Sequence, residues 1–331
     1  MGESLGSLDD QIIIFLQTFS PYLDLIFGFI TLFGDKLFVV GIIIVLFFCI
    51  DKKLAIHVAF LAIFTAIITY TIKGFFGLER PYLEYDRLNK TEIKGIKDIL
   101  GQLPTDYTFP SGHSSSVGSF WTFLATRWRC LGLWIISVFM IVMVPLSRIY
   151  LGVHWPTDVI VGVLFGILIA LLYIILLPKI EQFIANSSPS FLFIIAVIAP
   201  IIAVVMSYLI TVLMGHDFEL ADTSSYAGLL LGLSTGYILE SRYINLKVKE
   251  VRSNKKILIY RAVLGLIIIF IIYFGSSAIA GMLFKEFPLY LIARFLRYAI
   301  LSFFGIFCVP WLFKFIEEKL SLDQTSSFSV E

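Results

Sequence analysis

The chain has 331 residues, 59% of them hydrophobic, and a mean hydropathy of +0.93. A soluble domain does not carry that much apolar surface, so lipid is the solvent for most of the molecule. A formal net charge of +1 gives no hint of a nucleic-acid partner. Cys49, Cys130 and Cys308 are scattered and odd in number, which argues against a disulfide or metal framework and reads as packing thiols.

Residues 1–20 lack the basic start, apolar core and small-residue cleavage site of a cleaved signal peptide. Residues 10–33 are ambiguous: Gly28 and Gly34, with Asp35 and Lys36 just beyond, predict an interfacial or partly inserted helix. Apolar runs then predict membrane spans near 36–50, 54–73, 112–127, 132–149, 156–177, 190–214, 226–241, 257–283 and 288–313, about nine in an all-α fold. Lys52 and Lys53, then Arg127 and Arg129, then Arg242, Lys247, Lys249, Arg252, Lys255 and Lys256 fall on one side, which the positive-inside rule makes cytoplasmic. The connection 215–225, with Asp217, Glu219 and Asp222, falls on the other. The loop 82–109 runs against this rule with Arg87, Lys90, Lys94 and Lys97, offset by Glu84, Asp86, Glu92 and Asp98. Its Tyr82, Tyr85, Tyr107 and Phe109 make it a candidate lid or headgroup sieve. The apolar pattern breaks at 180–189, dividing a catalytic core, 1–180, from a four-helix transmembrane extension, 190–331.

Three stretches of the core carry chemistry. Lys73 is followed by Arg80-Pro81, then Pro110-Ser111-Gly112-His113, then Ser147-Arg148 with His154 and Asp158 behind. His154 and Asp158 are one helical turn apart, and Pro156 fits only the first turn of a helix. A carboxylate so placed can hold one imidazole nitrogen and leave the other as a nucleophile. The competing reading is an interfacial histidine beside Trp155, with Asp158 as a helix-start acid. Ser111 is a predicted N-cap, Gly112 lets the backbone approach a ligand, and a helix start offers free N–H groups to an anion. His113 can give a proton to a departing oxygen. Lys73, Arg80 and Arg148 fit headgroup anchors singly, but three cations together outweigh the charge of about −2 on a phosphomonoester. All three stretches fall on one predicted membrane face, away from the cytoplasm.

In combination the three stretches resemble the type 2 phosphatidic acid phosphatase superfamily, which also includes glucose-6-phosphatases and vanadium haloperoxidases. The resemblance implies a helical-bundle core and a metal-independent phosphohydrolase without cofactor. His154 then attacks phosphorus to form a phosphohistidine, His113 protonates the leaving group and Asp158 orients His154. Lys73, Arg80, Ser111, Gly112 and Arg148 then bind the phosphate. A bell-shaped rate profile near neutral or mildly acidic pH is expected if Asp158 raises the basicity of His154. The implied partner is a lipid phosphate, either a polyprenyl phosphate or diphosphate, phosphatidate or phosphatidylglycerol phosphate. A soluble sugar phosphate, suggested by a nine-span layout like that of glucose-6-phosphatases, is the alternative, as is phosphotransfer to an acceptor. A lipid transporter or scaffold is the non-enzyme reading.

In the extension, Gly228, Gly232 and Gly236 predict one smooth face for close helix packing, with a lipid groove as the sharper alternative. Arg294 and Arg297 sit inside an apolar span and are expected to pair with Glu240 or the acids of 217–222, or to reach a headgroup. His57 and His216 have no ligand-spaced partners, so no metal is assigned to them.

Overall fold

The computed structural model describes residues 8–88, 90–215, 221–248, 254–283 and 289–327. His216, Asp217, Glu219, Lys249 and Arg252 lie outside the described residues. Among those described, the chain is all α-helix with short 3-10 and π turns and no strand. The helices are α1 (Leu8–Gln17), α2 (Asp24–Ile30), α3 (Lys36–Val45), α4 (Lys52–Phe76), α5 (Pro81–Arg87), α6 (Gly112–Trp128) and α7 (Leu131–Tyr150). They continue as α8 (Pro156–Asn186), α9 (Pro189–Leu213), α10 (Ala221–Leu239), α11 (Lys255–Leu283), α12 (Leu289–Phe303) and α13 (Val309–Ser327).

Six segments are long and apolar enough to cross a membrane, and the bent pair Asp24–Gly34 with Lys36–Ile50, turning by 52°, makes a seventh if it is one span. The chain is therefore a multi-pass membrane protein. The two further spans predicted from sequence are α6 and α10, whose apolar pattern is diluted by Ser114, Ser115, Ser116 and Ser119 in one and Asp222, Thr223, Ser224 and Ser225 in the other. Much of each is buried against protein, so its hydroxyls do not face lipid.

Two compact units form: Met1–Val40 with Val58–Gln182 and Met206–Glu219, and Gly41–His57 with Phe183–Val205 and Leu220–Glu331. The first unit contains every residue singled out for chemistry. In it, α6 and α8 approach at backbone distance. A Cβ on Gly162 would meet the Ser111 carbonyl at 2.8 Å, and one on Gly118 would meet that of Val163 at 2.7 Å. A Cβ on Gly166 would overlap the Ser115 carbonyl. The approach brings the start of α6 to the start of α8, where Ser111 N–H donates to the Asp158 carbonyl at 3.1 Å.

The N-terminal helices brace the turn between α7 and α8. Phe27 stacks on Tyr150 at 4.5 Å, Tyr150 Oη donates to Asp24 at 2.5 Å, and Gln17 Nε2 donates to the carbonyls of Lys94 and Tyr150. Ile13, Tyr85, Ile93, Ile149 and Val159 form one apolar cluster, and Phe27, Tyr150, Leu151 and Val153 another. Gly152 sits at φ +70, and any side chain there would strike the Lys94 carbonyl. The loop after α5 is laid across this turn: Ile96 N–H donates to Leu151 O and Tyr82 N–H to Gly152 O. Tyr82 Oη reaches Pro104 O, and Tyr85 is buried in the first cluster. Tyr85 is thus a core residue and not part of a lid.

In the second unit, the faces of α10 and α12 meet at the predicted glycine stripe. A Cβ on Gly228 or Gly232 would overlap the carbonyls of Phe295 or Ala299, so the stripe serves helix packing. Arg294 donates to Ser225, Tyr290 and Asp222. Arg297 donates to Ser276 and the Tyr273 carbonyl and lies over the Tyr273 and Tyr298 rings. Glu240, fully buried, pairs with Lys52 at 2.9 Å and not with either arginine. Cys49 is buried and donates to Leu258 O, whereas Cys130 is exposed.

Candidate active site

Lys73 ends α4, Arg80 is the residue before Pro81 at the start of α5, Ser111 to His113 open α6, Arg148 lies in the last turn of α7, and His154 and Asp158 flank the start of α8. Proline at the first helical position fixes the entry of α5 and of α8, so Arg80 and His154 are both set by a helix start. Lys73, Arg80, Arg148, His154 and Asp158 are all at most 4% exposed. Buried cations at the ends of apolar helices are costly unless something anionic meets them.

A carboxylate that sequence reasoning passed over meets two of them. Asp106 Oδ2 lies 2.6 Å from Lys73 Nζ and Oδ1 lies 2.6 Å from Arg80 Nη2. Lys73 also donates to Tyr107 O at 2.5 Å and Arg80 Nε to Asp106 O at 2.7 Å. Burial raises the pKa of Asp106, but Lys73 and Arg80 outweigh it and hold the carboxyl well below the usual carboxylate range. Arg148 stands differently. Its Nη1 donates to Thr31 Oγ1 at 2.8 Å, while its Nε is buried with no partner among the described residues. One buried cation is thus left without a counter-charge in direct contact.

Arg80 Nη1 donates to Val153 O at 2.7 Å and meets His154 Nε2 at 3.0 Å. On the other side of the ring, His154 Nδ1 lies 2.9 Å from Thr108 Oγ1, which lies 2.5 Å from Asp158 Oδ2. The direct Nδ1 to Oδ2 separation is 3.5 Å. Asp158 therefore reaches the imidazole through Thr108 as well as directly, and also accepts from Trp155 N–H at 2.9 Å. Burial first, then Arg80, Lys73, Arg148 and His113, hold the pKa of His154 well below the ordinary imidazole range. Burial first, and then the surrounding cations, outweigh the basicity expected from Asp158. Burial and the cations both favour the neutral ring.

Ser111 caps α6, accepting from Ser114 N–H at 3.4 Å and Ser114 Oγ at 2.9 Å. No heavy atom lies within 4 Å of where a Cβ on Gly112 would stand, so the space beside it is open. The first-turn N–H groups of Gly112 and His113 have no place in the helical ladder. His113 is backed by Gly34, where a Cβ would meet its Cδ2 at 2.9 Å. The ambiguous segment 10–33 and the turn after it thus wall the site, through Thr31 and Gly34. Among the described residues, no cluster of three His, Cys, Asp or Glu side chains is set to hold a metal ion.

The profile of the PAP2 superfamily matches residues 54–182, and that of the PAP2 superfamily phosphatase transmembrane extension matches 224–321, together well over half of the chain. The chain belongs to the PAP2 superfamily. Its PAP2 segment begins within α4 and ends within α8, so it takes in Lys73, Arg80, Ser111 to His113, Arg148, His154 and Asp158. An undecaprenyl-diphosphatase of Sulfolobus acidocaldarius is 40% identical over 92 residues, 25% of this chain and 43% of that protein. A lipid A 1-phosphatase of Rhizobium etli is 26% identical over 160 residues, 41% of this chain and 64% of that one. The putative undecaprenyl-diphosphatase YbjG of Escherichia coli is 29% identical over 124 residues, 36% of this chain and 54% of that one. The chain spans between 43% and 64% of the length of these relatives. Among solved structures, the phosphatidylglycerolphosphate phosphatase of Bacillus subtilis aligns at a TM-score of 0.42 and 22% identity, over 53% of this chain and 87% of that one.

Asp106 and Thr108, like Thr31, are polar contacts of this PAP2 site that the sequence motifs do not name. Asp106 and Thr108 fall in Thr105-Asp106-Tyr107-Thr108-Phe109, directly before Pro110.

Proposed function

We propose that the chain is a membrane phosphohydrolase that removes phosphate from a lipid phosphate through a phosphohistidine on His154. The observation that carries this reading is the buried imidazole whose Nε2 meets a guanidinium, beside a second buried arginine with an uncommitted N–H. The phosphate binds between Lys73, Arg80 and Arg148, with Ser111 and the first-turn N–H groups at Gly112 completing the cradle. The hydrogen bond from Arg80 Nη1 to His154 Nε2 opens, the freed lone pair on Nε2 attacks phosphorus, and the bond from phosphorus to the leaving oxygen breaks with its electron pair on that oxygen. His113 gives that oxygen a proton. Water then attacks the phosphohistidine, the P–N bond breaks, its electron pair returns to Nε2, and His113 takes the water's proton. Charge development is met by three fixed cations, so the steps need no metal ion. The names of the relatives, which act on undecaprenyl diphosphate and lipid A, support a lipid substrate. So does a reacting centre built at the ends of apolar helices, where an acyl or prenyl chain remains in the bilayer. The site faces the extracytoplasmic or lumenal side, and residues 1–180 form the catalytic part.

Phosphate release by the purified protein in detergent with EDTA tests this reading, with undecaprenyl diphosphate and glucose 6-phosphate compared. EDTA-resistant turnover of the lipid is expected, with little of the sugar phosphate. Turnover confined to glucose 6-phosphate would transfer the protein to a sugar-phosphate function, and loss of all turnover to EDTA would remove the metal-free mechanism.

A further inference from the structure

We propose that Thr108 is a positioning residue for His154, its hydroxyl relaying the hydrogen bond between imidazole Nδ1 and the Asp158 carboxylate. This rests on the reading of His154 as nucleophile. The protons along the chain are fixed by its two ends. Arg80 has N–H groups and no acceptor, so the 3.0 Å contact requires a lone pair on His154 Nε2. A neutral imidazole then carries its proton on Nδ1, which donates to Thr108 Oγ1 at 2.9 Å. The single hydroxyl proton is free to go to Asp158 Oδ2 at 2.5 Å, and an ionised carboxylate can only accept. Every donor finds an acceptor in one direction only, and that direction leaves Nε2 as the nucleophilic nitrogen.

Three features suit Thr108 to this task. It is fully buried, so water cannot stand in for the hydroxyl. Its backbone N–H is bonded to Leu78 O at 2.9 Å, which holds the side chain in place. The direct Nδ1 to Asp158 Oδ2 gap of 3.5 Å is long for a good hydrogen bond, so the hydroxyl supplies contact the carboxylate lacks. When phosphorus bonds to Nε2 the ring becomes cationic with Nδ1 still protonated, and the same chain leads from that charge to Asp158.

The test uses the full chain in detergent with undecaprenyl diphosphate, comparing wild type, Thr108→Val, Thr108→Ser, Asp158→Asn and His154→Ala. Valine keeps the shape and removes the hydroxyl. It is expected to lower kcat about 10²-fold and leave KM within about twofold, while serine restores kcat to within about threefold of wild type. Thr108→Val with Asp158→Asn is expected to fall little below the lower single variant, because both break one chain. Near-normal kcat in folded Thr108→Val, or equal losses in valine and serine, would overturn the proposal. If Thr108→Val does not fold, Thr108→Ala takes its place: alanine well below serine supports the relay and equality overturns it. His154→Ala separates the two readings. An inactive His154→Ala beside an active Thr108→Val removes the relay alone. Absent wild-type turnover, or turnover that survives His154→Ala, removes the nucleophile and the relay with it.

Discussion

His154→Ala is expected to lower phosphate release at least about 10⁴-fold, with the protein still eluting as a folded species in detergent. The size follows from the role, since without the nucleophile no covalent route remains and the cations only bind. His113→Ala is expected to lose less, about 10²-fold, and the loss should depend on the leaving group. A poor leaving alcohol needs the proton, whereas an aryl phosphate leaves without it. Parallel assays with phosphatidate and 4-nitrophenyl phosphate check this. Equal residual rates for the two histidine variants on both substrates would contradict their separate roles.

Arg80→Ala is expected to lose about 10³-fold in kcat/KM together with part of the fold's stability. Arg80 makes four hydrogen-bond contacts: through Nε to Asp106 O, through Nη2 to Asp106 Oδ1, and through Nη1 to Val153 O and His154 Nε2. Its removal takes a cation from the phosphate, releases one side of the imidazole and leaves Asp106 with Lys73 alone. A buried pair broken from one side costs about 3 kcal/mol, the low end of the usual range, because Asp106 is 20% exposed on its side chain. Arg80→Lys keeps the charge but cannot span Asp106 and His154 at once, so it should recover stability more than rate. Thermal unfolding in detergent and steady-state kinetics together separate the two losses. Full stability with full activity in Arg80→Ala would show that the cradle lies elsewhere.

Much of this was legible in the sequence because membrane helices and helix starts leave strong local signals. Apolar runs placed the helices, and Pro81 and Pro156 fixed the starts beside Arg80 and His154. The i to i+4 spacing of His154 and Asp158 put them on one face, but spacing does not show what stands between them. Thr108 lies fifty residues from Asp158, and that contact exists only once α6 has packed on α8 through Gly118, Gly162 and Gly166. Asp106 was invisible for a related reason: a lone acid in a mixed-charge loop declares its partners only in three dimensions. The same long-range contacts bear on the pH expectation. Sequence paired His154 with one carboxylate, whereas folding buries it and surrounds it with Arg80, Lys73 and Arg148. The segment before α3 was hard to read because its glycines suit a surface helix and a close approach equally. Gly34 serves the approach, against His113 and Val144.

Rapid quenching with substrate labelled on the transferred phosphate tests the central claim most directly. The mechanism predicts label on wild-type protein that survives alkaline quenching, is released by acid, and is absent from His154→Ala. Turnover of the same substrate without any protein-bound label at the shortest quench times, and undiminished in His154→Ala, would contradict it.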